Sequence, residues 1–232
     1  MQFNFYQAVW KFADQLFPPI CAGCQKLGTR WCQECHEKIN LVTQGGCEIC
    51  GSLFTHDKYC TYCIADRPAY HLSRAYGVYA GNFRDALRSL KYKRNIGLGE
   101  IFSKYLQEIV LHQNRPIDFI VPIPLSQKRL KDRGYNQVAI ISKPLAWRLN
   151  LPHHPKALKR VRDTISQINL DRAARAKNVK DAFRADEDIV SKKNILLVDD
   201  IMTTGATLNA GAQALIEAGA AQVFAIIVAR AP

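Results

Sequence analysis

The run Ile195-Leu-Leu-Val-Asp-Asp-Ile-Met-Thr-Thr-Gly-Ala-Thr-Leu208 concentrates side chains that can bind and polarise a small ligand. Its four leading apolar residues predict a strand buried on both faces of a parallel sheet. Asp199 and Asp200 fall where that strand would end, and Met202, Thr203, Thr204, Gly205, Ala206 and Thr207 lead into a helical pattern over residues 208–217. Ligands of open α/β sheets bind beyond the carboxyl ends of the strands. A helix N-terminus with free N–H groups takes phosphate. Adjacent carboxylates accept hydrogen bonds from sugar hydroxyls or hold Mg²⁺, and they repel a phosphate placed directly on them. Strand, two acids, hydroxyl-rich loop and helix together describe a site for a sugar 5-phosphate.

All eight cysteines form a second group: Cys21/Cys24, Cys32/Cys35, Cys47/Cys50 and Cys60/Cys63. A two-residue spacer lets both thiolates of a pair face one ion at about 2.3 Å, and two pairs complete a tetrahedron. All-thiolate tetrahedral sites favour zinc, with iron giving similar geometry. Seven residues separate Cys24 from Cys32 and nine separate Cys50 from Cys60, which suggests two sequential sites, with nested pairing also compatible. His36 and His56 are spare donors beside a full set of thiols. The N-terminus lacks a basic n-region and cleavage site, so cytoplasmic location is expected and disulfides are disfavoured. So short a segment builds little core alone, and metals would hold it together.

The elements that must position these groups are legible from the pattern. An apolar stripe at helical period over residues 3–17 ends at Pro18-Pro19 and predicts a helix packed on the protein or on a partner. Peripheral contact with the inner membrane is the weaker alternative. A surface-bound helix carries Lys/Arg on its polar face, and only Lys11 against Asp14 stands there. No run approaches the roughly 18–20 apolar residues of a membrane span. A strand is expected over 72–79 and helices over 83–92 and 97–112. Arg84, Arg88 and Lys91 share one face of the first of these helices, read as solvated rather than anion-binding. A second buried strand, Asp118 to Pro124, runs into Leu125 and a loop with Lys128, Arg129, Lys131 and Arg133, whose cations would neutralise a departing diphosphate. Residues 136–150 read as a helix kinked or divided at Pro144. A short strand over 182–185, a polar loop over 186–191 and a last buried strand over 222–229 complete the chain.

Charge is concentrated. The chain carries +12, and residues 124–184 hold 15 Lys/Arg against 4 Asp/Glu, which leaves +1 for the rest. A local field of that size predicts an anionic partner larger than one metabolite, nucleic acid being the natural class, or else a solvated basic face.

The run at 195–208 resembles the 5-phosphoribosyl-1-diphosphate (PRPP) motif of type I phosphoribosyltransferases. Val121-Pro-Ile-Pro124 is similar to the loop entry of amidophosphoribosyltransferases. Arg162, Thr164, Gln167, Arg175 and Asn178-Val179 are similar to their lid over PRPP, with Asp163 inserted; Arg172 lies in the same segment. With the cysteine pairs and Arg129…Arg133-Gly-Tyr-Asn-Gln137, the chain resembles the ComF family over roughly residues 17–230. That resemblance implies an α/β type I phosphoribosyltransferase domain (Rossmann-like parallel sheet, residues 70–232), a double zinc ribbon over 20–66 and an N-terminal helix over 1–19. It implies PRPP with Mg²⁺ at Asp199, Asp200, residues 202–207, Pro124, Leu125 and Arg133, and two structural zinc ions. It implies single-stranded DNA near the lid residues Arg162, Thr164, Gln167, Arg172, Arg175 and Asn178, DNA-uptake proteins as further partners, and a role in natural transformation. Two other functions stay open on the same residues: transfer of a phosphoribosyl group to an unknown acceptor with Asp199 and Asp200 as catalytic acids, and a PRPP-sensing nucleic-acid-binding regulator.

Overall fold

A computed structural model describes residues 2–42, 46–52, 57–162 and 181–232. Its centre is a four-stranded, fully parallel sheet built from β1 (Leu72–Val78), β2 (Phe119–Pro122), β5 (Asn194–Met202) and β6 (Gln222–Arg230), in the order β1-β6-β5-β2. The two central strands, β5 and β6, are apolar on both faces, as a sheet covered on both sides requires. One face is covered by α4 (Gly81–Tyr92), α5 (Leu98–Gln113) and α7 (Gln137–Leu149). The other is covered by α9 (Ala206–Glu217) and a two-stranded antiparallel ribbon, β3 (Leu158–Arg160) with β4 (Phe183–Ala185). α6 (Gln127–Arg133) joins β2 to α7, and its cap is supplied by Ser126 Oγ, which accepts from the Arg129 N–H at 3.3 Å.

The N-terminal α1 (Gln2–Leu16) lies against the molecule, with Tyr6 5.3 Å from the Trp147 ring, Gln7 donating to Glu100 at 3.2 Å, and Arg30 both paired with Asp14 and 4.5 Å over Trp10. Among the described residues no helix is long and apolar enough to cross a membrane.

Three expectations are corrected. Pro144 does not divide its helix, since α7 runs unbroken from Gln137 to Leu149. A proline at 144 leaves the Ile140 carbonyl without its intrahelical donor. Gly99 of α5 packs against that carbonyl so closely that a Cβ there would stand 2.6 Å from the oxygen. The neighbouring helix thus shields the exposed group. Residues 186–191 contain a short helix, α8 (Glu187–Val190), not only a loop. β5 also continues beyond the two acids, because Ile201 and Met202 still pair with Ala229 and Arg230 of β6. The partner strand is equally long, so ladder hydrogen bonds carry the acids inside the sheet edge rather than past it.

The cysteine-rich segment is continuous with this core. Its α2 (Gln33–Glu37) and α3 (Thr61–Ala65) each carry the last cysteine of a set. Val42 N–H donates to the Tyr76 carbonyl at 3.0 Å, Val78 N–H to that of Asn40 at 2.8 Å, and Ser73 N–H to that of Ile49 at 2.6 Å. The segment therefore caps the free edge of β1, which would otherwise offer unpaired backbone to another chain.

Candidate phosphoribosyl site and metal centres

Alternation along β5 sends Asp199 and Asp200 to opposite faces of the sheet. Both are buried, at 8% and 4% exposure. Asp200 is well partnered: its Oδ2 accepts from Lys91 Nζ at 2.9 Å and from Gln137 Nε2 at 2.8 Å. Asp199 Oδ1 accepts only the Asp200 backbone N–H, at 2.8 Å, among the bonds seen. Burial first, and the Asp200 carboxylate second, push Asp199 up to about 8. The two adjacent carboxyl groups both offer oxygens that accept from hydroxyls.

Past Met202 the chain turns through Thr203 and Thr204 to Gly205, whose φ of +81° suits glycine and starts α9. Thr204 Oγ1 accepts from the Ala206 N–H at 3.4 Å. Met202 is buried beneath this loop, its Cε 3.0 Å from where a Cβ at Gly205 would stand. The loop is one wall of a cleft. The opposite wall is the second cysteine segment, with Cys50, Ser52, Tyr62 and Asp66, together with Tyr70 and Arg230. Arg230 ties that wall to β6 by donating to the Cys50 carbonyl at 2.6 Å.

On the β2 side, Pro124 and Leu125 lead to α6. Arg133, at the end of α6, bonds to Gln137 and lies 5.4 Å over the Tyr92 ring. Asn136 caps α7 and ties it to the loop by donating to the Ile123 carbonyl at 2.9 Å. Arg133, Gln137, Asp200 and Lys91 therefore form one hydrogen-bonded row from the loop to the acids. Lys91 is a correction: it points inward to Asp200, while Arg84 of the same face pairs outward with Asp85. Neither Lys91 nor Gln137 stood among the predicted site residues. The spacing of Lys91 was visible, but not which turn of the helix would face the sheet. Of the predicted lid, Arg162 is exposed beyond β3, and Thr164, Gln167, Arg172, Arg175 and Asn178 lie outside the described residues.

The cysteines fall into two sequential sets, Cys21, Cys24, Cys32, Cys35 and Cys47, Cys50, Cys60, Cys63, with the sulfurs of each set within 4.8 Å of one another. Four thiolates around a tetrahedral ion at about 2.3 Å lie roughly 3.8 Å apart. The observed Sγ···Sγ separations of 3.7 Å for Cys21–Cys35, 3.5 Å for Cys24–Cys32 and 3.6 Å for Cys50–Cys60 fit that ion. Burial opposes ionisation of Cys21 and Cys47, but backbone N–H groups aimed at their sulfurs outweigh it and bring both down to about 6. His36 is no ligand. It stacks on Tyr105 and bonds to its hydroxyl at 2.9 Å.

The Double zinc ribbon domain model matches residues 12–64, and the Phosphoribosyl transferase domain model matches residues 177–232. DNA utilization protein YhgH of Escherichia coli K12 is 33% identical over 183 residues, which are 76% of this chain and 80% of that protein. Competence protein F of Haemophilus influenzae is 28% identical over 223 residues, 91% of this chain and 90% of that one. Competence protein ComFC of Bacillus subtilis is 27% identical over 203 residues, 82% of this chain and 79% of that one. The α/β sheet with its N-terminal double zinc ribbon is accordingly a phosphoribosyltransferase fold.

Proposed function

Because the chain belongs to the family of DNA utilization protein YhgH and competence protein F, we propose that it binds PRPP with Mg²⁺ and single-stranded DNA and assists DNA uptake in natural transformation. The observation that carries the ligand half is the end of β5, where two buried carboxylates precede a glycine-started helix with only Ile201, Met202 and two threonines between. In this reading Asp199 and Asp200 accept from the ribose hydroxyls. Residues 203–207 offer hydroxyls and backbone N–H groups to the 5-phosphate, with the helix dipole adding to their charge. Pro124, Leu125 and Arg133 face the diphosphate. PRPP with Mg²⁺ supplies an activated C1 whose leaving group is that diphosphate.

The DNA half rests on the β3–β4 ribbon. Lys159 and Arg184 are directly opposite in register and both exposed, and like charges so placed destabilise a ribbon. An anion laid across them reverses that cost. The ribbon packs on α9, the helix that the loop opens, with Leu158 against Gly211. Replacing Lys159 and Arg184 with Gln should lower the log–log salt slope of single-stranded DNA binding by about 1.4, two phosphate contacts at about 0.7 each. An unaltered slope places the DNA elsewhere.

Phosphoribosyl transfer is the second reading, favoured by the cleft beside the loop, which has room for an acceptor. Diphosphate release from PRPP, followed with and without DNA, separates transfer from binding. Release that DNA stimulates would make the strand an acceptor or activator, and no release with any acceptor leaves a binding protein.

A further inference from the structure

Asp200 has two donors, and they are unlike. Gln137 is 4% exposed and is held at its other end by Arg133, so it cannot move alone. Lys91 reaches Asp200 from the last turn of α4 on a flexible four-carbon stem. Both donate to the same oxygen, Oδ2. A carboxylate oxygen has two lone-pair sites, so a third donor arriving there must displace one of these two. The displaceable one is Lys91.

Its destination is set by its neighbours. α4 is clamped to the α6–α7 connection, since Tyr135 donates to the Leu90 carbonyl and Tyr92 carries Arg133 on its ring. Lys91 lies between those two anchors, so its ammonium stands beside the row that leads to Arg133 and the loop after β2. That row gives a cation released from Asp200 a path toward the loop.

We propose that Lys91 is an exchangeable counter-ion, a positioning residue that yields Asp200 to a ribose hydroxyl and passes to the diphosphate of the same ligand. The inference rests on the PRPP reading above and adds to it a residue and an order of events. Lys91 then opposes binding of a sugar phosphate that lacks the diphosphate and favours one that has it.

Calorimetric titration of the full chain with PRPP–Mg²⁺ and with ribose 5-phosphate–Mg²⁺ tests this, using wild type, Lys91→Met and Lys91→Arg with zinc content checked in each. Lys91→Met should lose about tenfold or more in PRPP affinity, one charge-assisted contact. Its ribose 5-phosphate affinity should hold or rise. Lys91→Arg should restore PRPP binding to within a few-fold. Equal losses for both ligands would reduce Lys91 to a structural ion pair, and unchanged PRPP affinity would remove it from the site; either result overturns the inference alone. Wild-type protein that binds neither ligand overturns the PRPP reading and the inference with it.

Discussion

The two cysteine sets share a ligand chemistry and differ in the core they join and in the polar contacts that hold them. The first is bound by side-chain packing: Trp31 lies 6.3 Å from Phe83, Ile39 fills the space over Gly77, and Cys21, Cys32 and Cys35 belong to the same core as α4 and α5. Asn82, at the start of α4, donates to Cys35 Sγ at 3.2 Å. The second packs into the other core, under α9, and adds contacts to backbone carbonyls, with Arg74 donating to Glu48, Arg230 and the Ser73 hydroxyl to Cys50, and Ser73 N–H to Ile49. Burial lowers the Arg74 pKa, and the nearby thiolates act in the other direction. Apolar packing resists salt and tolerates little motion, whereas arginine-to-carbonyl contacts set a position and a field. The first set thus joins the core of α4 and α5, and the second shapes one wall of the cleft beside the loop after β5.

The largest effect should come from removing one ligand of each set. Cys35→Ala strips the first ion and opens the shared core, and structural zinc is worth about 10 kcal/mol or more, so this chain should lose its cooperative unfolding transition. Cys60→Ala should keep a cooperative transition at lower temperature while weakening phosphate-ligand binding. Scanning calorimetry with zinc analysis reads both, and equal melting losses with no difference in ligand binding would break the distinction. Next in size is Gly77→Ala. A Cβ there meets Ile39 Cγ2 at 2.6 Å and Phe83 at 3.1 Å, so overpacking of the first joint should cost about 1–3 kcal/mol in urea denaturation. A neutral result would show that the joint yields.

The smallest and sharpest effect is a pH dependence on the site side. Asp199 carries its proton up to about 8 in the native chain, against an ordinary value of 3.8. Between those values the native state binds the proton and the unfolded state does not. The contribution of Asp199 to stability is therefore full below the lower value and falls as pH rises towards the upper, by at most about 1.4 kcal/mol per unit. Asp199→Asn should flatten that decline in urea midpoints taken from pH 5 to 7.5. A slope identical to wild type would show that the acid is already ionised.

Much of this was legible in the sequence because it is local. Strand, acids, threonine loop and helix follow one another without a break, and short spacers between cysteines already favour sequential metal sites. What was hidden depends on distant partners. Nothing near Pro144 announces that Gly99 will shield the Ile140 carbonyl, and nothing near Leu41 announces that Asn40, Val42 and Ile49 will cap the β1 edge. Lys91 was one of three cations on a helix face, and only the tertiary placement of α4 decides that the last of them meets Asp200. β3 was missed because three residues of mixed polarity carry no period.

The central claim is that the acids and loop after β5 hold PRPP. Calorimetric titration of PRPP–Mg²⁺ into wild type and Asp200→Ala, both checked for zinc, tests it most directly. Loss of charge-assisted contacts worth about 1.5–3 kcal/mol predicts binding to wild type and an affinity lower by about tenfold or more in the variant. Equal affinity in the two proteins would contradict it.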